Sequence, residues 1–221
     1  MASKKTEAVT PKGTAIWPRL NTPDTKFDPA GKYTCKIAVP GDDEGLAALR
    51  KQTQELIDEK FDEVVAKLKE DGKGAVAKKV SKADPFVAEE DPETGEETGN
   101  ILINAKMTAS GTSRKTGKPW SRKPAIFDAK GKKLSNPPII GGGSEVKLSV
   151  ELFPYFAAND KTVGVSFRLE AVQVLKLVSS GNRDAGGYGF EEEDGDELED
   201  MEDTTFGGSE GGDAEDDEDF A

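Results

Sequence analysis

The sequence predicts a mainly β protein: a five- to six-stranded barrel with one long helix inserted between its early strands, followed by an acidic tail with no structure of its own. Three observations lead there. Apolar and polar residues alternate with period two in five or six separate stretches, the mark of half-buried strands. Only one stretch, about 43–71, repeats apolar residues at helical spacing over several turns. From Glu191 to Ala221 there are 17 Asp or Glu and no Lys or Arg, and such a like-charge block repels itself and cannot build a core. Strands with a single helix and no strand–helix rhythm argue against a parallel α/β sheet; a small barrel of the OB-fold kind fits first and a β-sandwich second. The expected domains are a flexible N-terminus over 1–12, an OB-fold domain over 13–180, and a disordered acidic tail over 181–221.

Taken in order, 13–20 has strand character, with Trp17-Pro18 as an edge or bend. Residues 21–30 are turn-rich, holding Pro23, Asp24, Asp28 and Pro29. Tyr33, Cys35, Ile37 and Val39 then alternate with Lys32, Thr34 and Lys36, giving a strand with a basic outer face that ends at Pro40-Gly41. Asp42 or Asp43 caps the helix, whose apolar positions are Leu46, Leu49, Leu56, Ile57, Phe61, Val64, Val65 and Leu68, and Gly72 stops it. The polar stretch 72–99 reads as an excursion loop. Strands are expected again at 100–110, with a hairpin loop over 111–119, and at 120–127, with a turn over 128–133. After Gly141-Gly142-Gly143, Val146, Leu148, Val150 and Leu152 point inward. A last strand over 162–178 slips phase near Ala171-Val172, which predicts a bulge.

Composition bounds the chemistry. The chain has 221 residues, one cysteine and no histidine. That removes internal disulfides, multi-cysteine zinc sites and the usual histidine bases. No apolar run has the length of a membrane span or the form of a signal peptide. Net charge is -13, but outside the last 31 residues 30 basic side chains face 26 acidic ones. A mildly basic body joined to a polyanion suits a protein that handles another polyanion: the tail can occupy the cationic surface when nucleic acid is absent.

The cationic centre spans 106–133, where Lys106, Arg114, Lys115, Lys118, Arg122, Lys123, Lys130, Lys132 and Lys133 stand against one acid, Asp128, with Trp120 and Phe127 among them. Cations beside exposed rings are what single-stranded nucleic acid needs, charge for phosphates and flat faces for unstacked bases. The alternative is a solvated hairpin with ordinary surface lysines. Lys32 and Lys36 share a strand face, and Lys147 lies on a later strand as either contact or plain outer face. Tyr155 and Phe156, after Pro154, form either a stacking platform at a strand end or part of the core. Trp17 reads as core more readily than as contact, and Cys35 as a small buried hydrophobe. The 140–144 segment lacks the Gly-Lys-Ser/Thr ending of a phosphate-binding loop. Asp128, Glu145, Glu151 and Glu170, the strand-associated acids, match no metal or nuclease spacing. No cofactor, metal or catalytic residue is expected.

Pro138-Ile139-Ile140-Gly141-Gly142-Gly143-Ser144, continued through Val146-Lys147-Leu148 to Pro154-Tyr155 and Val163-Gly164, resembles the replicative single-stranded DNA-binding proteins of T7-like short-tailed phages. Gly31-Lys32-Tyr33, Ile37-Ala38-Val39-Pro40, Lys130-Gly131-Lys132-Lys133 and the acidic tail ending near Phe220 are similar too. The resemblance implies an OB-fold with an inserted helix, binding of single-stranded DNA without sequence preference, strand annealing in replication and recombination, and a homodimer. It implies a stacking role for Tyr155. It also implies contact of the tail, through Asp216, Asp217, Glu218, Asp219 and Phe220, with the replicative polymerase and helicase–primase, in the cytoplasm of the infected bacterial host. Three positions depart from the family: Ala30 replaces an arginine, Ala157 a tryptophan, and Ala221 follows the phenylalanine that otherwise ends the chain. The other reading is an acidic-tail interaction protein, a nucleic-acid mimic or a basic-protein chaperone, which would lose its ligand with its tail.

Overall fold

The computed structural model describes residues 5–179. The strands are β1 (Thr6–Val9), β2 (Gly13–Asp24), β3 (Lys32–Pro40), β4 (Ser81–Lys82), β5 (Val87–Glu90), β6 (Glu97–Thr108), β7 (Ser110–Thr112), β8 (Pro119–Ser121), β9 (Ala125–Phe127), β10 (Glu145–Ala157) and β11 (Thr162–Lys176); the helices are α1 (Glu44–Glu70) and the single turn α2 (Gly74–Ala77). β2, β3 and β6 form an antiparallel meander, β6 pairs in parallel with β11, β11 pairs back along β10, and β10 closes on β2 at Glu145 and Val146. This five-stranded closure is the OB barrel. Its layers are legible in the register. Cys35, Ala105, Phe167 and Leu152 oppose one another across β3, β6, β11 and β10, and all four are buried. Burial pushes the Cys35 thiol up to about 12, so it stays protonated and inert.

The helix enters between β3 and β6. Asp43 caps it, its Oδ1 accepting from the Leu46 N–H at 3.1 Å. Gly72, with φ of 73°, ends it as the Lys73 N–H reaches back to the Leu68 carbonyl at 2.8 Å. Leu46, Leu49, Thr53, Ile57 and Val64 are its buried stripe, laid against β10 and β11.

Several boundaries differ from the sequence expectation. The expected flexible N-terminus contains β1, which pairs with β10 from Thr6–Leu152 to Val9–Ser149, because β10 would otherwise leave an unpaired edge there. The expected loop over 72–99 holds α2, β4, β5 and the start of β6; most of its charged residues face solvent while Phe86 packs edge-on to Phe167 at 5.5 Å. The strand expected over 120–127 is broken at Pro124: β8 pairs with β7 as a separate ribbon, and β9 joins β11. The bulge in β11 falls where Ser149 opposes Ala171 and Val150 opposes Leu169, leaving Glu170 over. The expected acidic tail, with Asp216, Asp217, Glu218, Asp219 and Phe220, lies outside the described residues.

Candidate nucleic-acid interface

Nucleic acid meets OB barrels on the outer face of their second and third strands and on the loops that flank it. Here those strands are β3 and β6. Their outward residues alternate with the buried layer by strand periodicity. Lys32 opposes Thr108, Thr34 opposes Lys106, and Lys36 opposes Asn104. The row through Thr34 runs further. Arg19 on β2 opposes Thr34, Lys106 lies beside Arg168 on β11, and Arg168 opposes Glu151 on β10. Strands about 4.8 Å apart thus carry Arg19, Lys106 and Arg168 in one line, flanked by Lys32 and Lys36. Among the described residues Arg19, Lys36 and Lys106 make no ion pair; Lys32 Nζ lies 3.1 Å from Asp28, and Arg168 3.7 Å from Glu151. The Lys32 ammonium, and then the Ala30 N–H, hold the Asp28 carboxyl below its usual range.

Aromatic rings sit at the borders of this face. Tyr155 opposes Gly164. A methyl group on Gly164 would lie 2.7 Å from Tyr155 Oη and 3.0 Å from Cε1, so the phenol ring fills the space a side chain would take. Two residues earlier, Phe153 faces the same way with the Arg168 guanidinium 3.2 Å above its ring centre. Phe156, with the opposite phase, opposes Val163 and packs against the core, so it does not share a platform with Tyr155.

The β7–β8 ribbon continues from β6. Arg122 ties its root, donating from its backbone to the Ala109 carbonyl at 2.7 Å and from Nε to the Thr108 carbonyl at 3.0 Å. Trp120 covers Gly111, where a methyl group would come 2.7 Å from Cζ2, and Arg122 lies 5.2 Å from the indole centre. Arg114, Lys115 and Lys118 are exposed at the tip. The β2–β3 loop is pinned to the same root: the Ser110 N–H and hydroxyl both donate to the Ala30 carbonyl, at 3.0 and 2.9 Å. Phe27 stands out from that loop, 88% exposed, with Lys26 Nζ 5.3 Å from its ring.

Of the residues expected from sequence, Lys32, Lys36 and Lys106 share one face, and the ribbon brings Arg114, Lys115, Lys118, Trp120 and Arg122 to its end. Lys123 lies apart, beside Leu20 and Asn21. Lys147 opposes Gln173, about 13 Å along β10 from Glu151. Sequence reasoning passed over Arg19, Arg168 and Phe153. Arg168 and Phe153 were findable, because each shares its strand's outward phase with a residue already singled out or with an exposed neighbour. Phe27 sits in a turn where no periodicity speaks, and Trp17, expected in the core, is 85% exposed.

The glycine motif has a structural role. Asn21 Nδ2 donates to the Pro137 and Pro138 carbonyls at 3.1 and 2.9 Å, and its Oδ1 accepts from the Ile140 N–H at 3.2 Å. The Ser144 hydroxyl donates to the Val178 carbonyl at 3.1 Å and accepts from the Val178 N–H at 2.9 Å. The turn therefore ties β2 to the end of β11.

The family model described as "Single-stranded DNA-binding protein, Bacteriophage T7" matches residues 13–177. The single-stranded DNA-binding protein of Enterobacteria phage T3 is 34% identical over 102 residues, 46% of this chain and 41% of that protein. That of Escherichia phage T7 is 34% identical over 83 residues, 38% of this chain and 36% of that protein. The chain thus spans less than half the length of these relatives. The crystal structure of gp2.5, a single-stranded DNA-binding protein encoded by bacteriophage T7, shares the fold with a TM-score of 0.66 at 24% identity, covering 89% of this chain and 100% of that one.

Proposed function

Since the chain belongs to the single-stranded DNA-binding protein family of bacteriophage T7, we propose that it binds single-stranded DNA without sequence preference and catalyses no reaction. The observation that carries this is the line of Arg19, Lys106 and Arg168, flanked by Lys32 and Lys36, on the outer face of the barrel. Cations in a row across the strands neutralise successive phosphates, and phosphate contacts carry no sequence information. Tyr155 stacks on a base from the β10 border. Arg114, Lys115 and Lys118 add charge at the ribbon tip, and Trp120 a second ring. Lys123 and Lys147, off this line, contribute to the field more than to contact.

In this proposal the protein protects and anneals single strands during phage replication and recombination, in the cytoplasm of the infected host. Its anionic tail competes with DNA for the basic face and docks on a replication partner, polymerase or helicase–primase, with Phe220 in an apolar pocket and Asp216, Asp217, Glu218 and Asp219 on its basic rim. A homodimer is part of the same picture.

The deciding experiment is a titration of labelled single- and double-stranded oligonucleotides across a range of salt. The expected result is preference for the single strand, parallel affinities for different base compositions, and a linear fall of log affinity with log salt. Equal affinity for duplex, or none for either, would sink the proposal. Phe220→Ala should weaken capture of the cognate polymerase while leaving DNA affinity unchanged; capture at wild-type strength would remove the pocket.

A further inference from the structure

Trp17 is an exposed indole held out of a strand by a backbone that resists it. Its side chain is 85% exposed and its φ is 47°, in the left-handed region disfavoured for any residue with a Cβ. Pro18 follows, and the residue before a proline favours extended backbone, so the conformation is imposed from outside. The cause is a bulge. Between the pairs Ile16–Lys36 and Arg19–Thr34, β2 holds one residue more than β3. The glycine turn clamps the near side: the Gly143 N–H donates to the Ala15 carbonyl at 2.9 Å, and the Ala15 N–H to the Ser144 carbonyl at 2.8 Å. Gly142 lies beside the bulge, where even an added Cβ would stand 3.9 Å from the Trp17 nitrogen. The result is an open groove of about 780 Å³ along Trp17, Arg19 and the Gly142–Gly143 backbone.

The chemistry of this groove is selective. Its lining holds one flat ring and one cation, Arg19, and no acid. Arg19 makes no ion pair among the described residues and begins the line that runs through Lys106 to Arg168. An occupant with an aromatic face and a negative charge fits both walls, and a nucleotide unit is such an occupant. Strain kept at one position commonly marks a ligand-contacting residue.

We propose that Trp17 is a further base-stacking residue, on β2 where the Arg19–Lys106–Arg168 line begins, with Arg19 on the adjoining phosphate. This rests on the single-stranded DNA reading. It extends the DNA path along β2 from Arg19 to the glycine turn.

The test uses the full chain and a fluorescein-labelled twenty-residue thymidine oligonucleotide. Trp17→Ala should weaken binding by about fivefold to 150-fold, and Trp17→Phe by far less, since a ring remains. In a Trp120→Phe background, the remaining indole emission, that of Trp17, should be quenched as the oligonucleotide binds. Trp17→Gly separates contact from structure: glycine tolerates the backbone, so this variant should melt no lower than its parent while losing affinity. Wild-type affinity for Trp17→Ala with unquenched Trp17 emission, while Tyr155→Ala binds weakly, overturns the Trp17 site and leaves the function standing. Loss of melting temperature and affinity together in Trp17→Gly also overturns it, in favour of a structural role. Failure of the unmodified chain to bind the oligonucleotide overturns both.

Discussion

Tyr155 shows how one side chain depends on what a neighbour lacks. Its ring takes the place of a side chain at Gly164, so Tyr155→Ala removes the proposed stacking surface and Gly164→Ala lifts it. Tyr155→Ala should cost about 1–3 kcal/mol of single-strand affinity, with Gly164→Ala losing part of that. Fluorescence anisotropy gives the affinities and thermal melting run alongside separates stacking from folding; a destabilised Tyr155→Ala protein that still binds normally would make the ring a structural one. Asp28 works in the opposite direction. It holds Lys32 at 3.1 Å, and its carboxyl is depressed below the usual carboxylate range by that lysine and by the Ala30 N–H. A depressed carboxyl contributes at pH values above its unfolded range and ceases to as pH falls through its folded value, so the pair is intact at neutral pH. Asp28→Asn keeps the acceptor for the Ala30 N–H and deletes the charge. It should raise affinity at neutral pH and steepen the salt slope by about 0.7, the value for one extra phosphate contact. An unchanged slope would mean that Lys32 does not reach the strand. The outward placement of Lys32, Lys36 and Lys106 was legible because period two sets it, whereas Tyr155 was singled out by the family resemblance. The partners that set their behaviour, Gly164 and Asp28, come from register and loop closure, which local sequence does not encode.

The ribbon of β7 and β8 is the element with the most to say about charge. Its three tip cations, Arg114, Lys115 and Lys118, are exposed, and its root is bound to β6 and to the β2–β3 loop. Replacing all three with Ala should lower the salt slope by about 2, at roughly 0.7 per contact, and reduce affinity equally for all base compositions. If slope and affinity hold, the strand runs over β3 and β6 without touching the ribbon. The helix and the long strands were legible because each repeats one pattern over many residues: the Leu46, Leu49, Ile57, Val64 stripe, the Asp43 cap, the Gly72 stop, the alternation of 146–152. The ribbon was half legible. A strand break at Pro124 hid the change from one sheet to another, since 120–127 alternates well enough to pass as continuous. β1 was not legible at all: four residues are too few to show a period, and only the open edge of β10 selects them.

At the scale of the whole molecule, fold and function meet in how charge is divided. Barrel closure through β6–β11 brings Lys106 beside Arg168, residues far apart in the chain, and β2–β3 pairing adds Arg19 to the same line. No sequence window contains that line, which is why composition identified a basic body and only topology located its face. The 31 residues from Glu191 to Ala221 carry 17 acids and no base against a body with a net charge of +4. In the proposed function, tethering gives that polyanion a high effective concentration at the basic face, where it would compete with DNA for the same cations. Deleting residues 191–221 should therefore raise single-strand affinity. The gain should be greatest at low salt and shrink as ionic strength rises, because both the intramolecular and the DNA attraction are screened over about 10 Å at 0.1 M. A gain independent of salt would point to steric occlusion in place of charge. Unchanged or weaker binding by a truncated protein with a normal melting curve would remove competition altogether, and loss of all binding would favour the tail itself as the binding element. Restoring net charge with a scrambled acidic tail of equal length tests the electrostatic account further: competition should return with composition alone, whereas capture of a replication partner should still require Phe220 in its place.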